Sequence, residues 1–145
     1  MTTLIFEELK GVPIEQTIVV SERISFKAIR LYLIKALSPS GTMTLKIKDG
    51  SEIVGQGNLT SLEMESGDSN VTALNYTHGF FDFGIDDLVL NEGVYTLELS
   101  TSGYTYAPDT YFGWVKEFEN RTNNLTGTVT NVTDSPLSFQ IWEYK

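Results

Sequence analysis

The sequence predicts an all-β fold: a two-layer antiparallel β-sandwich with about eight or nine strands and jelly-roll connectivity. Apolar and polar residues alternate with a period of two through segments rich in β-branched and aromatic residues. Clusters of Gly, Pro, Asn, Asp and Ser separate these segments at short spacing. No segment combines helical periodicity with a capping residue. At 145 residues, the chain is expected to form a single domain, 1–145.

The clearest strands are three segments in which one face is apolar and the other polar. Their sequences are TMTLKIKDG, starting at Thr42, GVYTLELS, starting at Gly93, and PLSFQIWEY, starting at Pro136. Such alternation is typical of a strand that packs one face on a core and exposes the other to water. The Asp-Gly pair in KDGS, residues 48–51, predicts a tight hairpin after the first of these strands.

The longest apolar segment, ISFKAIRLYLIKAL (24–37), contains a change of phase. Its apolar residues occupy even positions at first and odd positions later: Ile24, Phe26 and Ala28, then Ile29, Leu31 and Leu33. This change predicts either a β-bulge or a strand that switches between the two sheets.

Two regions differ from this regular pattern. Residues 1–12 carry more apolar side chains than a frayed terminus needs, and we interpret them as a docking arm or as the first strand. Residues 119–135, ENRTNNLTGTVTNVTDS, are rich in Asn and Thr and poor in apolar residues. We interpret them as a protruding polar hairpin or edge strand, because a further core strand follows directly.

The order of these segments resembles a known family. The succession FKAIRLYLIKALSPSGTMTLKIKDGSEIVGQG, FFDF, LVLNEGVYTLELS, YFGW and PLSFQIWEY covers roughly residues 24 to 143. It is similar to the jelly-roll β-sandwich modules of carbohydrate-binding-module-like domains in bacterial surface proteins and phage virion proteins. The likeness includes the G-x-Y-x-L-x-L strand from Gly93 to Leu99. Because it rests on core and turn positions, the resemblance implies a fold more strongly than an activity.

Charge and composition limit the classes of partner. The chain carries 10 Lys and Arg against 19 Asp and Glu, a formal net charge of −9. We therefore expect no binding to nucleic acid or to an anionic membrane surface, since both need a basic face. The chain has no cysteine, which excludes disulfides and thiolate metal sites. The N-terminal segment lacks the features of a secretory leader, so we expect synthesis in a cytoplasm.

The stretch TYAPDTYFGW, residues 105–114, has four aromatic residues in ten positions. Rings at this density could stack on sugars. The alternation in YFGW instead favours a strand entering the core, with Phe112 and Trp114 on one face and Tyr111 on the other. The glycan-binding candidates are residues of the preceding loop and of the last strand: Tyr104, Tyr106, Asp109 and Trp142.

Acidic residues after FFDF suggest a metal site as an alternative to a plain turn. Asp82, Asp86 and Asp87, with Asp109, could supply oxygen ligands to Ca²⁺. Their spacing is not that of an EF-hand, and we favour a solvated acidic turn, so no cofactor is expected. The sequence also lacks a nucleophile-elbow motif, and we expect no enzymatic activity.

Two functional hypotheses follow. The first is a non-enzymatic virion structural protein, such as a bacteriophage capsid decoration protein, minor head protein or fibre component, assembled in the host cytoplasm and exposed on the particle surface. Its partners would be capsid or other virion proteins, or further copies of itself. The expected docking residues lie in the N-terminal segment: Leu4, Ile5, Phe6 and Leu9. The second hypothesis is a carbohydrate-binding module or lectin-like adhesin domain, which the lack of an export signal makes the less favoured one.

Overall fold

The computed structural model describes residues 6–37, 39–60, 64, 76–85, 87–115, 129–131 and 139–143. At residues 27–28, 76–78, 129–131 and 139–143 it describes the backbone only. The described part of the chain contains no α-helix and has these strands: β1 (Phe6–Glu8), β2 (Ile14–Val20), β3 (Ile24–Ala36), β4 (Thr42–Asp49), β5 (Glu52–Thr60), β6 (Tyr76–Asp82), β7 (Leu88–Leu90), β8 (Gly93–Ser102), β9 (Tyr111–Val115), β10 (Val129–Asn131) and β11 (Phe139–Glu143). The count exceeds the expected number because β1, β7 and β10 are each only 3 residues long.

The first sheet is built around the long strand β3. Leu33 pairs with Trp114 of β9 and with Gly79 of β6, so β9 and β6 flank β3 on opposite sides. β7 continues the line of β6 along β3, and β11 continues the line of β9. β1 pairs with the far side of β9 and is the edge strand among the described strands of this sheet.

The second sheet has the strand order β10-β2-β8-β4-β5, and all of its pairings are antiparallel. Its inner face shares one hydrophobic core with the inner face of the first sheet. Leu31 and Trp114 from the first sheet and Leu45 and Leu97 from the second belong to the same buried cluster. The all-β, two-layer antiparallel sandwich is therefore confirmed, whereas the jelly-roll connectivity stays a prediction.

The phase change in β3 is a β-bulge. The register with β11 shifts between the pairs Trp142–Ala28 and Glu143–Phe26, which leaves Lys27 as the additional residue. Phe26 and Ile29, on either side of the bulge, are both buried in the same core. The bulge thus moves the apolar face from even to odd positions without moving the strand to the other sheet.

The predicted aromatic strand is part of the core. Phe112 and Trp114 are fully buried in the main cluster, and Tyr111 is also buried, at 5% exposure. The alternation in YFGW was therefore a correct indicator of a strand with rings on both faces. The glycine between them is required by packing, because a Cβ on Gly113 would come within 2.7 Å of the Phe6 ring and 2.9 Å of Ile34.

A second close approach joins the two sheets at the β5 edge. A Cβ on Gly57 would overlap the carbonyl oxygen of Phe83, in the segment between β6 and β7. The absence of a side chain at Gly57 lets this backbone pack directly against β5. At the other end of β5, the Asp-Gly hairpin forms as the sequence predicts, with Asp49 paired to Glu52 and Gly50 at a φ of 63°.

The two irregular regions are described only in part. Of residues 1–12, the structure describes 6–12, and residues 6–8 form β1. Of residues 119–135, it describes β10, which pairs with β2 at Val20 and is an edge strand among the described strands of the second sheet. The other residues of that range lie outside the described part.

Candidate functional site

The Tyr104 hydroxyl joins β1 to β9. The backbone N–H of Leu9 donates to the carbonyl oxygen of Phe112 at 2.8 Å, which continues the β1–β9 ladder by one bond. On the other side of the same pair, the Tyr104 hydroxyl accepts a hydrogen bond from the Phe112 N–H at 3.2 Å and donates one to the Leu9 carbonyl at 2.6 Å. One hydroxyl therefore bridges the two backbone groups that would pair directly in a regular ladder.

The Tyr104 ring also packs inward. It stacks on the Phe112 ring with centroids 5.2 Å apart, and it borders the main hydrophobic core. Leu9, which the sequence suggested as a docking residue, is 1% exposed and belongs to this core. Both side chains thus make their contacts within this chain, and they hold the end of β1 in place.

Tyr106 lies beside them in a small polar cluster. Its hydroxyl donates to a carboxylate oxygen of Glu8 at 2.6 Å. The Lys10 ammonium lies 5.2 Å from the centroid of the Tyr106 ring and 3.8 Å from the same Glu8 oxygen. The ring is half-buried, with the Tyr111 ring 6.0 Å away. A hydroxyl, a carboxylate and an ammonium therefore meet around one aromatic ring.

Phe6 completes the attachment of β1. Its ring stacks on Tyr111, with centroids 5.8 Å apart and planes 25° apart. Phe6 is half-buried, whereas Leu4 and Ile5, the other two expected docking residues, lie outside the described residues. The aromatic side chains of the β8–β9 region thus bind the N-terminal strand to the first sheet.

The outer face of the first sheet is apolar as well as its inner face. Tyr32, Ile34 and Val115 form a second buried cluster there, separate from the main core. Phe6 and Phe80 pack against this cluster and are half-buried, and Phe80 meets Tyr32 edge to face at 4.8 Å. Tyr32, Ile34 and Val115 are buried within this chain, so the accessible part of this apolar face is its border at Phe6 and Phe80.

An open groove lies along β1 and the start of β2. Its volume is about 740 Å³, and most of it is open to solvent. It is lined by residues of β1, of the connection that follows and of β2: Phe6, Glu7, Glu8, Lys10, Val12, Pro13, Ile14 and Glu15. Two of these, Glu8 and Lys10, are the residues that contact Tyr106.

The tyrosine hydroxyls of this region hold their protons more firmly than usual. Burial is the main cause that raises the pKa of Tyr104, and the nearby Glu8 charge adds to it, while the hydrogen bond from Phe112 acts in the opposite direction. The pKa of Tyr106 is also raised, first of all because its hydroxyl donates to Glu8. Both hydroxyls therefore stay neutral donors well above neutral pH.

The remaining sequence candidates lie in turns or outside the described part. Asp109 is exposed in the turn closed by the Ala107–Thr110 bridge, and it accepts a hydrogen bond from the Thr110 hydroxyl at 3.1 Å. Tyr104 and Tyr106 precede this turn directly. For Trp142 only the backbone is described, in β11. Of the four candidate glycan-binding side chains, the structure therefore describes those of the loop residues Tyr104, Tyr106 and Asp109.

The acidic loop has the geometry of a turn at the positions that can be described. The Asp82 carboxylate accepts a hydrogen bond from the Gly84 N–H at 2.7 Å, as an Asx turn does. Asp87 is exposed, with a φ of 54°, and its N–H donates to the Phe26 carbonyl. Asp86 lies outside the described residues. Within the described ranges no three acidic or histidine side chains are grouped closely enough to hold a metal ion.

Two residues of the candidate site were not predicted from the sequence. Glu8 and Lys10 were not candidates, although they are the partners of Tyr106. Positions 6, 8 and 10 share one face of an extended segment, but the apolar residues of FEELK, Phe6 and Leu9, lie three positions apart and show no period of two. Sequence periodicity therefore offered no signal for this cluster. No helix in the described part is long and apolar enough to cross a membrane.

The outer face of the second sheet carries a separate ion pair. The Lys48 ammonium lies 2.7 Å from a carboxylate oxygen of Glu98, which is 8% exposed. This hydrogen bond is the main cause that raises the pKa of Lys48, and the Glu15 charge contributes in the same direction, while desolvation opposes it. The pair stabilises the β4–β8 contact, on the opposite side of the core from the aromatic cluster.

The chain was compared with protein-family models, with curated proteins and with solved structures, and it matches none of them.

Proposed function

We propose that this chain is a non-enzymatic structural protein of a virus particle, located on the virion and packed against other particle subunits through its first sheet. Capsid decoration, a minor position in the head and a fibre component are the roles that suit such a module. Two-sheet jelly-roll sandwiches recur in viral capsid proteins. The partners are other virion proteins, with no role for nucleic acid or membrane.

The observation that carries this proposal is the pair of half-buried rings, Phe6 and Phe80, on the outer face of the first sheet. Tyr32, Ile34 and Val115 are buried on that face, and Phe6 and Phe80 extend it to half-exposed positions. Partly exposed aromatic residues that border a buried apolar cluster are typical anchors of protein interfaces. The tyrosines that a sugar platform would need are at the same time engaged in holding β1, which favours assembly over glycan binding.

The proposal is tested on particles purified from the source material. We expect the chain to co-migrate with the particle in a density gradient, at a constant copy number by quantitative mass spectrometry. Detection of the chain only as a free monomer or small oligomer would contradict the proposal. In a reconstituted system, Phe80→Gln should weaken incorporation, whereas Val94→Gln, at a residue 59% exposed on the other sheet, should leave it unchanged.

A carbohydrate-binding role is the second candidate, and the Tyr106 cluster is the observation that favours it. A half-buried ring with a carboxylate and an ammonium beside an open groove is a combination that binding sites use for orienting polar ligands. A glycan array would decide between the two functions. Specific binding that is lost in Tyr106→Ala and kept in Tyr95→Phe would place the glycan role first.

A further inference from the structure

Among the described strands, none pairs with the outer side of β1, toward which the backbone groups of two of its residues point. In an antiparallel ladder, residues that exchange hydrogen bonds with the partner strand alternate with residues whose N–H and C=O point away. Leu9 donates to Phe112, so Glu7 and Trp114, two positions along the same register, form the next hydrogen-bonded pair. The N–H and C=O groups of Phe6 and Glu8 therefore point away from β9.

The groove beside β1 has a defined chemical character. Among the described residues, three glutamates and one lysine line it, and these four side chains carry a summed charge of −2 (−3 from Glu7, Glu8 and Glu15, +1 from Lys10). The lysine and Glu8 already interact with each other, and Glu7 and Glu15 are the other exposed acidic side chains of the described lining. The charge of Glu15 also acts on Lys48, but the Lys48 ammonium is paired with Glu98 at 2.7 Å. The apolar part of the lining includes Val12, which is 70% exposed.

We propose that this groove binds an extended, positively charged segment of another particle protein, which adds a strand to the outer edge of β1. Lys or Arg side chains of that segment would pair with Glu7 and Glu15, and alternating apolar side chains would cover Val12. Strand addition obtains its affinity from main-chain hydrogen bonds and its specificity from alternate side chains, and the groove supplies both. The inference rests on the proposed structural role and names the chemistry of the partner.

Charge selects this occupant over a second copy of the chain. Two copies would each carry a net charge of −9, so pairing the acidic groove with another copy is opposed by repulsion. A metal ion is not favoured either, since the described residues group no three acidic side chains at bonding distance. A basic peptide would form ion pairs with the two exposed glutamates and, at the same time, hydrogen bonds with the outward-pointing backbone groups of β1.

The experiment uses the full chain and a displayed library of random peptides of about eight residues, the length of an ordinary strand. We expect the selected peptides to alternate Lys or Arg with β-branched residues. The best peptide, resynthesised, should bind roughly three- to tenfold more weakly to the double variant Glu7→Gln, Glu15→Gln, as expected for the loss of two exposed ion pairs. The matched control Glu92→Gln removes an exposed glutamate elsewhere and should leave binding unchanged.

Main-chain pairing is tested by methylating alternate backbone nitrogens of the same peptide. Only one of the two alternating patterns removes the N–H groups that face β1, so one methylated peptide should lose binding and the other should keep it. Selection without a basic bias, equal binding to both glutamine variants, or equal effects of both methylation patterns would overturn the inference. If the chain still co-migrates with particles while the groove variant does so equally well, the structural role stands and the groove inference fails.

Discussion

The hydroxyl of Tyr104 donates a hydrogen bond to the carbonyl oxygen of Leu9, at 2.6 Å, across 95 positions of sequence. The same hydroxyl accepts from the N–H of Phe112, so it occupies the place of a direct ladder bond between β1 and β9. Leu9 and Phe112 are both buried, and without this hydroxyl their two backbone groups would have no partner of comparable geometry. One side-chain oxygen thus replaces a main-chain hydrogen bond in the attachment of β1 to β9.

Removing that oxygen should destabilise the fold measurably. Tyr104→Phe keeps the ring that stacks on Phe112 but leaves one buried N–H and one buried C=O unpaired, at a cost of about 1–3 kcal/mol. Denaturant-induced unfolding followed by circular dichroism measures the change. Tyr106→Phe is the matched control, because its hydroxyl binds the Glu8 side chain and its loss leaves no backbone group unpaired. Equal losses of unfolding free energy in the two variants would show that the Tyr104 hydroxyl contributes no more than an ordinary side-chain hydrogen bond.

The strands and the core-facing side of each strand could be predicted from the sequence, because both depend on local periodicity. The even-to-odd change between Phe26 and Ile29 predicted either a bulge or a switch between the sheets, and the structure has the bulge. The alternation around Phe112 and Trp114 likewise predicted buried rings. Each of these features depends on neighbours within a few residues, where periodicity carries the information.

The candidate site could be predicted only in part, because its contacts are non-local. The sequence identifies Tyr104 and Tyr106 only as tyrosines of a loop, because their partners Leu9 and Glu8 lie 95 and 98 positions away. No local pattern specifies which distant strand a loop hydroxyl meets. The groove likewise exists only because β1 lies beside β9. The three-residue strand β1 is too short for its sequence to predict that pairing.

Stability should fall at alkaline pH. The folded-state pKa is raised for Tyr104 and Tyr95, first by burial, and for Lys48, first by its hydrogen bond with Glu98. A raised folded-state pKa contributes stability that is fully present below the unfolded value, about 10 for both residue types, and is lost as the pH rises through the folded value. The free energy of unfolding should therefore be constant up to about pH 9 and decline above about pH 10.

Two measurements check this alkaline transition. Unfolding curves taken at a series of pH values give the free energy, and ultraviolet difference absorbance reports tyrosinate formation. Tyr104→Phe should show a shallower decline than the wild-type chain, since it lacks one of the titrating groups. A free energy that stays level or rises above pH 10 would contradict the assignment of the raised pKa values.

Trp114 should be among the most costly side chains to truncate. It is fully buried between the sheets, in the cluster that also contains Leu31 and Leu97. Trp114→Ala removes a large apolar surface and leaves a cavity, for an expected loss of about 3–5 kcal/mol. Val94→Ala, at an exposed position of β8, should change stability by no more than about 0.5 kcal/mol. A Trp114 variant as stable as the Val94 variant would mean that the ring is not part of the core.

Gly57 should be intolerant of a methyl group although its backbone conformation is that of an ordinary strand. A Cβ at this position would overlap the Phe83 carbonyl oxygen, which belongs to backbone and cannot rotate away as a side chain can. Gly57→Ala should therefore force β5 and the β6–β7 segment apart, at a cost of about 1–3 kcal/mol in thermal or denaturant unfolding.

Gly93→Ala is the matched control, because its nearest atom would be 3.6 Å away on the Tyr95 ring, an ordinary contact. An alanine in β8 also reduces the flexibility of the unfolded chain, so the Gly93 variant should be neutral or slightly more stable. If both substitutions change the free energy of unfolding equally, the direct backbone contact between Gly57 and Phe83 does not contribute to the packing of the two sheets at this edge.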